Sequence, residues 1–207
     1  MPRALGGRIT VSLGRTEALI RDSARWGGIY GGWLRRVRRC PSPFFDARPG
    51  FTPLSLLVVH AISLPEGVFG TGYPEALFQG HLDCRAHNSF ADLDGVEVSA
   101  HVLIDRAGAL TQFVPFHGRA WHAGVSQWQG RERCNDFSIG IELEGEGRTP
   151  FTWAQYLSLA ALARQLRVVY GLAPDALACH SEIAPGRKTD PGPYFSRAVL
   201  SEAEASL

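Results

Sequence analysis

The chain has 207 residues, of which 45% are hydrophobic and 20% charged, and its formal net charge is +1. That length suits one well-buried domain, and the near-neutral balance excludes a general affinity for nucleic acid or for anionic membrane surfaces. No apolar run approaches the roughly 20 residues of a bilayer-spanning helix, and no apolar h-region precedes a small-residue cleavage site, so the expectation is a cytosolic protein without a secretory signal.

The average hides an asymmetry, because residues 1–39 hold nine arginines against Glu17 and Asp22. This stretch reads as an Arg/Gly-rich, partly disordered extension, with weak helical periodicity over 15–26 and a basic run at 35–39 that suits a solvated face. The domain is expected over 40–207. Residues 54–60 form a short apolar run that ends in His60, as in a strand buried on both faces. Residues 74–82 suit a short helix with Pro74 at its first position. Residues 98–105 and 109–115 read as a hairpin turning at 106–108, and 118–130 as a loop rich in Trp, His and Gly.

Residues 137–144 alternate, with Phe137, Ile139, Ile141 and Leu143 on one face and Ser138, Gly140, Glu142 and Glu144 on the other. Thr152 and Gln155 have the spacing of a capping box for a helix to about Tyr170, stopped by Gly171. Leu157, Ala160, Ala161, Leu162, Leu166 and Val169 give that helix its apolar face. Residues 194–205 suggest a last helix. The class is therefore α+β: one domain with a mixed central β-sheet flanked by α-helices. Cys40, Cys84, Cys134 and Cys179 are far apart, with no C-x-x-C pair, and read as small buried hydrophobes with reduced thiols.

The segment 180–190 places His180, the chain's only lysine, Lys188, and Asp190 within eleven residues. Pro and Gly on both sides predict an ordered loop rather than a helix. Lysine is a compact point charge, unlike the arginines used everywhere else in the chain. None of the seven histidines has the H-x-x-x-H spacing of a helical zinc site, so any metal site must be assembled from distant segments. His60, at the expected end of an apolar strand, leads the candidates, and His180 and Asp190 can complete the set. Two imidazoles and a carboxylate leave a fourth tetrahedral corner for water, the catalytic pattern for Zn²⁺. His101 and His122 are also plausible ligands, and spacing does not rank them.

Residues 58–65 (VVHAISLP), 99–104 (SAHVLI), 119–126 (RAWHAGVS), 130–145 (GRERCNDFSIGIELEG) and 180–193 (HSEIAPGRKTDPGP) resemble, in order, the N-acetylmuramoyl-L-alanine amidases of the Amidase_2 and peptidoglycan recognition protein superfamily. The likeness runs from about Cys40 to Phe195 and is greatest to the cytosolic branch that acts on anhydro-muropeptides in peptidoglycan recycling. It implies an amidase domain that hydrolyses the amide between the lactyl group of N-acetylmuramic acid and L-alanine. It also implies zinc ligands His60, His180 and Asp190, a catalytic Glu142 and Lys188, and a substrate-contacting Arg133. Trp121, His122, His101 and Ala120 are expected on the substrate side, with Trp128 and Arg131 at the rim. The partner is a small muropeptide, with no nucleic acid or membrane, and the chain is expected to be a monomer.

Two positions depart from the family pattern, Ala61 in place of asparagine and Glu97 in place of arginine, and both bear on preference for the anhydro sugar. A non-catalytic muropeptide-binding module and an amidase of polymeric peptidoglycan are the alternatives. The intact ligand set with Glu142 and Lys188 argues against the first, and the missing signal peptide against the second.

Overall fold

Two parallel seven-residue strands, Leu56–Ile62 and Ser138–Glu144, form the centre of the molecule. The structure is a computed structural model and describes residues 25–50 and 52–207. Around the central pair the six-stranded sheet runs in the order Leu177–Cys179, Leu56–Ile62, Ser138–Glu144, Val102–Ile104, Leu110–Gln112, Arg38–Arg39. All neighbours are parallel except the hairpin Val102–Ile104 with Leu110–Gln112. The mixed sheet with flanking helices is the α+β class expected.

A run apolar on both sides forms a strand covered on both faces. Leu57 and Val59 join Ile139, Ile141 and Leu143 in the main core under the long helix Trp153–Tyr170, while Leu56 and Val58 pack with Ala123, Cys134 and Ala178 on the other face. His60 continues the second face. The strand runs on to Ile62 rather than ending at His60, because pairing continues through Glu144 opposite Ile62. Phe137 also departs from expectation. It ends the 3-10 turn Cys134–Asp136 with φ −131° and ψ 8°, outside the pleat, and so joins Leu56 and Val58 instead of Ile139. Ser138, Glu142 and Glu144 are buried although polar. Glu144 is an anchor, accepting from the Gly70 N–H at 2.5 Å and the Arg106 N–H at 3.2 Å.

Thr152 and Gln155 form the expected capping box, and Gly171 ends the helix at φ 68°. Of the expected apolar face, Ala160, Ala161, Leu162 and Leu166 are buried and Leu157 packs on the core, but Val169 is 48% exposed, and Tyr156, Leu159 and Ala163 widen the buried face. Thr152 Oγ1 also donates to the Arg106 carbonyl at 2.8 Å. Thr152→Ala should therefore cost about 1–2 kcal/mol, the upper part of the range for a lost cap, read as a lower urea midpoint with an unchanged slope.

The hairpin is shorter than predicted. Its turn is held by Asp105 Oδ1, which accepts from the Ala107 and Ala109 N–H groups at 2.9 and 2.8 Å. The stretch 118–130 is more ordered than a loop. Gly118–Ala120 pairs with Phe45–Ala47, and Gln127–Trp128 pairs with Arg131–Glu132. The predicted boundary at residue 39 needs correction. Trp26 and Leu34 are buried in the main core, the Leu34 N–H donates to Gln112 Oε1 at 2.8 Å, and Arg38–Arg39 edges the sheet. Disorder expected over 1–24, and most of the periodicity over 15–26, lie outside the described residues. Among the described residues no helix is long and apolar enough to cross a membrane.

Candidate metal centre

His60 is carried by a central strand and is buried. His180 opens a one-turn helix, His180–Ile183, directly after the neighbouring strand Leu177–Cys179. The expected loop thus begins as a helical turn. Its cause is local: Glu182 reaches back to accept from the Cys179 N–H at 2.6 Å, and Arg197 holds Glu182 at 2.6 Å. The chain then returns so that the Asp190 carbonyl accepts from the Ser181 N–H at 2.9 Å, which seats Asp190 beside His180.

His60 Nδ1 and His180 Nδ1 lie 2.9 Å apart, His180 Nδ1 and Asp190 Oδ2 3.0 Å, and His60 Nδ1 and Asp190 Oδ2 3.4 Å. Two ligands on a tetrahedral ion with bonds of about 2.05 Å are separated by roughly 3.3 Å, so these edges fit one ion. Among the described residues this is the one such His, Cys, Asp or Glu cluster. Burial pushes His60 down to about 4, against the pull of Asp190. Burial alone would raise Asp190, but the imidazoles of His180 and His60 against it outweigh that and hold the carboxyl well below its usual range. Neutral imidazole and ionised carboxylate are the states that bind a divalent metal.

Glu142 sits directly across from His60 in register. It is 8% exposed, and its Oε2 is buried without a hydrogen-bond partner. Burial, reinforced by the charge of Asp190, pushes it well above the ordinary carboxylate value, while Lys188 opposes the rise. Lys188 is exposed, and its charge reaches both Glu142 and His60. Beside Asp190 a cleft of about 250 Å³ opens at the C-terminal ends of the two central strands, lined by Ala61, Ser63, Glu146 and Thr189 among others. That end of parallel strands is where open α/β sheets bind ligands.

The expected substrate-side residues divide. Trp121 is half-buried, its ring 6.2 Å from that of Phe44. Arg133 is exposed in a left-handed conformation, φ 62°, and pairs with Asp136 at 3.2 Å. Trp128 packs partly against the Phe137 cluster, and Arg131 lies 3.9 Å over the Phe137 ring, so both are engaged in packing. Ala120 is fully buried in the short ladder with Phe45. His122 contacts His60 rather than the cleft, with Nδ1 2.9 Å from His60 Nε2.

His101 is also fully buried. Its Nδ1 accepts from the Gly140 N–H at 3.0 Å, which leaves Nε2 to donate to the Gly118 carbonyl at 3.1 Å. Burial pushes it from 6.5 down to about 3. A histidine depressed in the native state adds stability above its unfolded value, and that stability is lost as pH falls from there toward the folded value. The metal-free protein should therefore weaken between about pH 6.5 and 3. A His101→Gln variant should show a shallower acid slope, by up to about 1.4 kcal/mol per pH unit, in urea melts across that range.

Arg48 and Asn135 carry no motif as scaffolding residues and become visible only in space. Half-buried Arg48, pushed down to about 10 by desolvation, donates to the Asn135 and Ser138 carbonyls at 2.8 and 2.9 Å. Asn135 Oδ1 accepts from the His122 and Ala123 N–H groups at 3.1 and 2.8 Å. Asn135 thus holds the segment that faces both imidazoles.

Residues 50–193 match the family Amidase_2, N-acetylmuramoyl-L-alanine amidase. The chain belongs to this family. Within Amidase_2 it is 57% identical over 164 residues to the 1,6-anhydro-N-acetylmuramyl-L-alanine amidase AmpD of Salmonella typhimurium (strain SL1344), covering 79% of this chain and 88% of that protein. The crystal structure of a Se-Met AmpD derivative superposes with a TM-score of 0.82 at 52% identity, covering 84% of this chain and 98% of that one. The E. coli amidase AmiD, in complex with the substrate anhydro-N-acetylmuramic acid-L-Ala-D-γ-Glu-L-Lys, superposes at 0.55 with 31% identity, covering 76% of this chain and 60% of that one.

Proposed function

We propose that this chain hydrolyses the amide between the lactyl carbonyl of 1,6-anhydro-N-acetylmuramic acid and L-alanine in released muropeptides. The observation that carries the reading is the meeting of His60 Nδ1, His180 Nδ1 and Asp190 Oδ2 beside the unpartnered carboxylate of Glu142. We assign the metal as zinc, since an N₂O donor set with a free corner is its catalytic pattern. Bound zinc supplies Lewis acidity and lowers the pKa of water to about 7.

The chain's own residues supply the rest. Glu142, raised by burial, takes the proton of the attacking water and returns it to the leaving alanine nitrogen. Lys188 offers a cation to the oxygen on which charge develops. Arg133 and Trp121 present a guanidinium and an aromatic face suited to a peptide carboxylate and a sugar ring. Ala61 lines the cleft and Glu97 is exposed, so each can bear on preference for the anhydro sugar. The reading includes a monomer at work in the cytosol, where four free thiols stay reduced, and no nucleic-acid or membrane partner.

Mass spectrometry of products from anhydro- and ordinary muropeptides tests bond and preference together. The expected products are the free stem peptide and the intact anhydro-sugar acid. Cleavage inside the peptide, or none with zinc present, would sink the assignment.

A further inference from the structure

The hydrogen bonds behind the metal centre admit one proton assignment. Ser138 Oγ lies 2.6 Å from the Cys134 carbonyl and can only donate to it. Its oxygen must then accept from His122 Nε2, 3.2 Å away. His122 is thereby protonated at Nε2, and its Nδ1 lone pair accepts from His60 Nε2 at 2.9 Å. His60 thus carries its proton at Nε2 and turns a bare Nδ1 toward Asp190 and His180. On the other side His180 Nε2 is 3.3 Å from the Ala123 carbonyl, an acceptor only, so His180 also presents a bare Nδ1. Three lone pairs then face one another at 2.9–3.4 Å, an arrangement that calls for a cation between them.

The segment that imposes this is itself held on three sides. Asn135 Oδ1 grips the main-chain N–H groups of both His122 and Ala123. Arg187 Nη2 donates to the Ala123 carbonyl at 2.6 Å. The His122 ring lies so close to the neighbouring strand that a Cβ on Gly140 would come within 2.5 Å of its Cγ, so glycine there makes the seat.

We propose that His122 and the Ala123 carbonyl together fix the tautomers of the two ligand imidazoles, with His122 a positioning residue for His60 and Ser138 the anchor of its ring. A histidine ligand whose outer N–H is held this way is oriented and made more basic. The inference rests on the metal reading above.

The test measures zinc affinity by competition with a chromophoric chelator, together with long-range ¹⁵N–¹H spectra of His60 in metal-free protein. Native protein, Ser138→Ala, His122→Phe and His60→Ala are compared. Ser138→Ala and His122→Phe should each weaken zinc binding by about 10- to 100-fold, and His60 should leave the pure Nε2–H form in both. Should His122→Phe fail to fold, Ser138→Ala decides alone. Affinity within about twofold of native, or either readout moving without the other, overturns the inference while His60→Ala still loses zinc. Should His60→Ala bind zinc like the native chain, the metal reading itself falls.

Discussion

Glu142→Gln should lower turnover by about 10²- to 10⁴-fold, the worth of a general acid–base group, while zinc content stays at the native level. Glutamine keeps the shape and cannot exchange the proton, so the loss should lie in kcat, with KM little changed. The same substitution should stabilise the metal-free protein at neutral pH. Burial raises Glu142 well above its ordinary 4.5. The unfolded chain releases that proton first, so native stability is full below about 4.5 and is lost as pH climbs toward the raised value. Urea melts at pH 5 and 7.5 should show the native chain weakening between them more than the variant. A variant with near-native kcat removes Glu142 from the chemistry. One that is no more stable at pH 7.5 removes the claim that its carboxylate is held at a cost for function.

His180→Ala should abolish both zinc binding and hydrolysis. It deletes one corner of the donor triangle and leaves Asp190 without its 3.0 Å partner. Stability offers a second readout. Saturating zinc at about 100 times its Kd should add about 2.7 kcal/mol to the native protein and nothing to the variant. Chelator treatment of native protein should reproduce the variant's melting point, and zinc should restore the native value. A variant that keeps stoichiometric zinc would place the ion elsewhere.

Local patterns carried much of the fold. Thr152 and Gln155 cap their helix because the capping bonds span three residues. The hairpin turn at 105–109 is likewise closed by its own side chain. Expectations failed where distant contacts decide. Phe137 obeys the alternation in sequence but sits outside the pleat, because the turn before it ends there. The extent of the extension was misjudged, since Trp26 and Leu34 find their partners across the sheet. His101 and Ala120 sit within a substrate-side motif in sequence, yet backbone pairing buries both.

From the chain alone came the residue types of the centre, two histidines, an aspartate, a glutamate on the polar face of a strand and a single lysine, with the family that their order resembles. Spacing alone left the histidines unranked, and only the resemblance singled out His60, His180 and Asp190; which of their atoms share a point in space is stated by neither. That was decided by parallel pairing of the His60 and Glu142 strands, by the return of the chain from His180 to Asp190, and by the carboxamide of Asn135. Hydrogen bonds over such separations exist only once the sheet has formed, and they turn a list of candidate donors into a charged and oriented site.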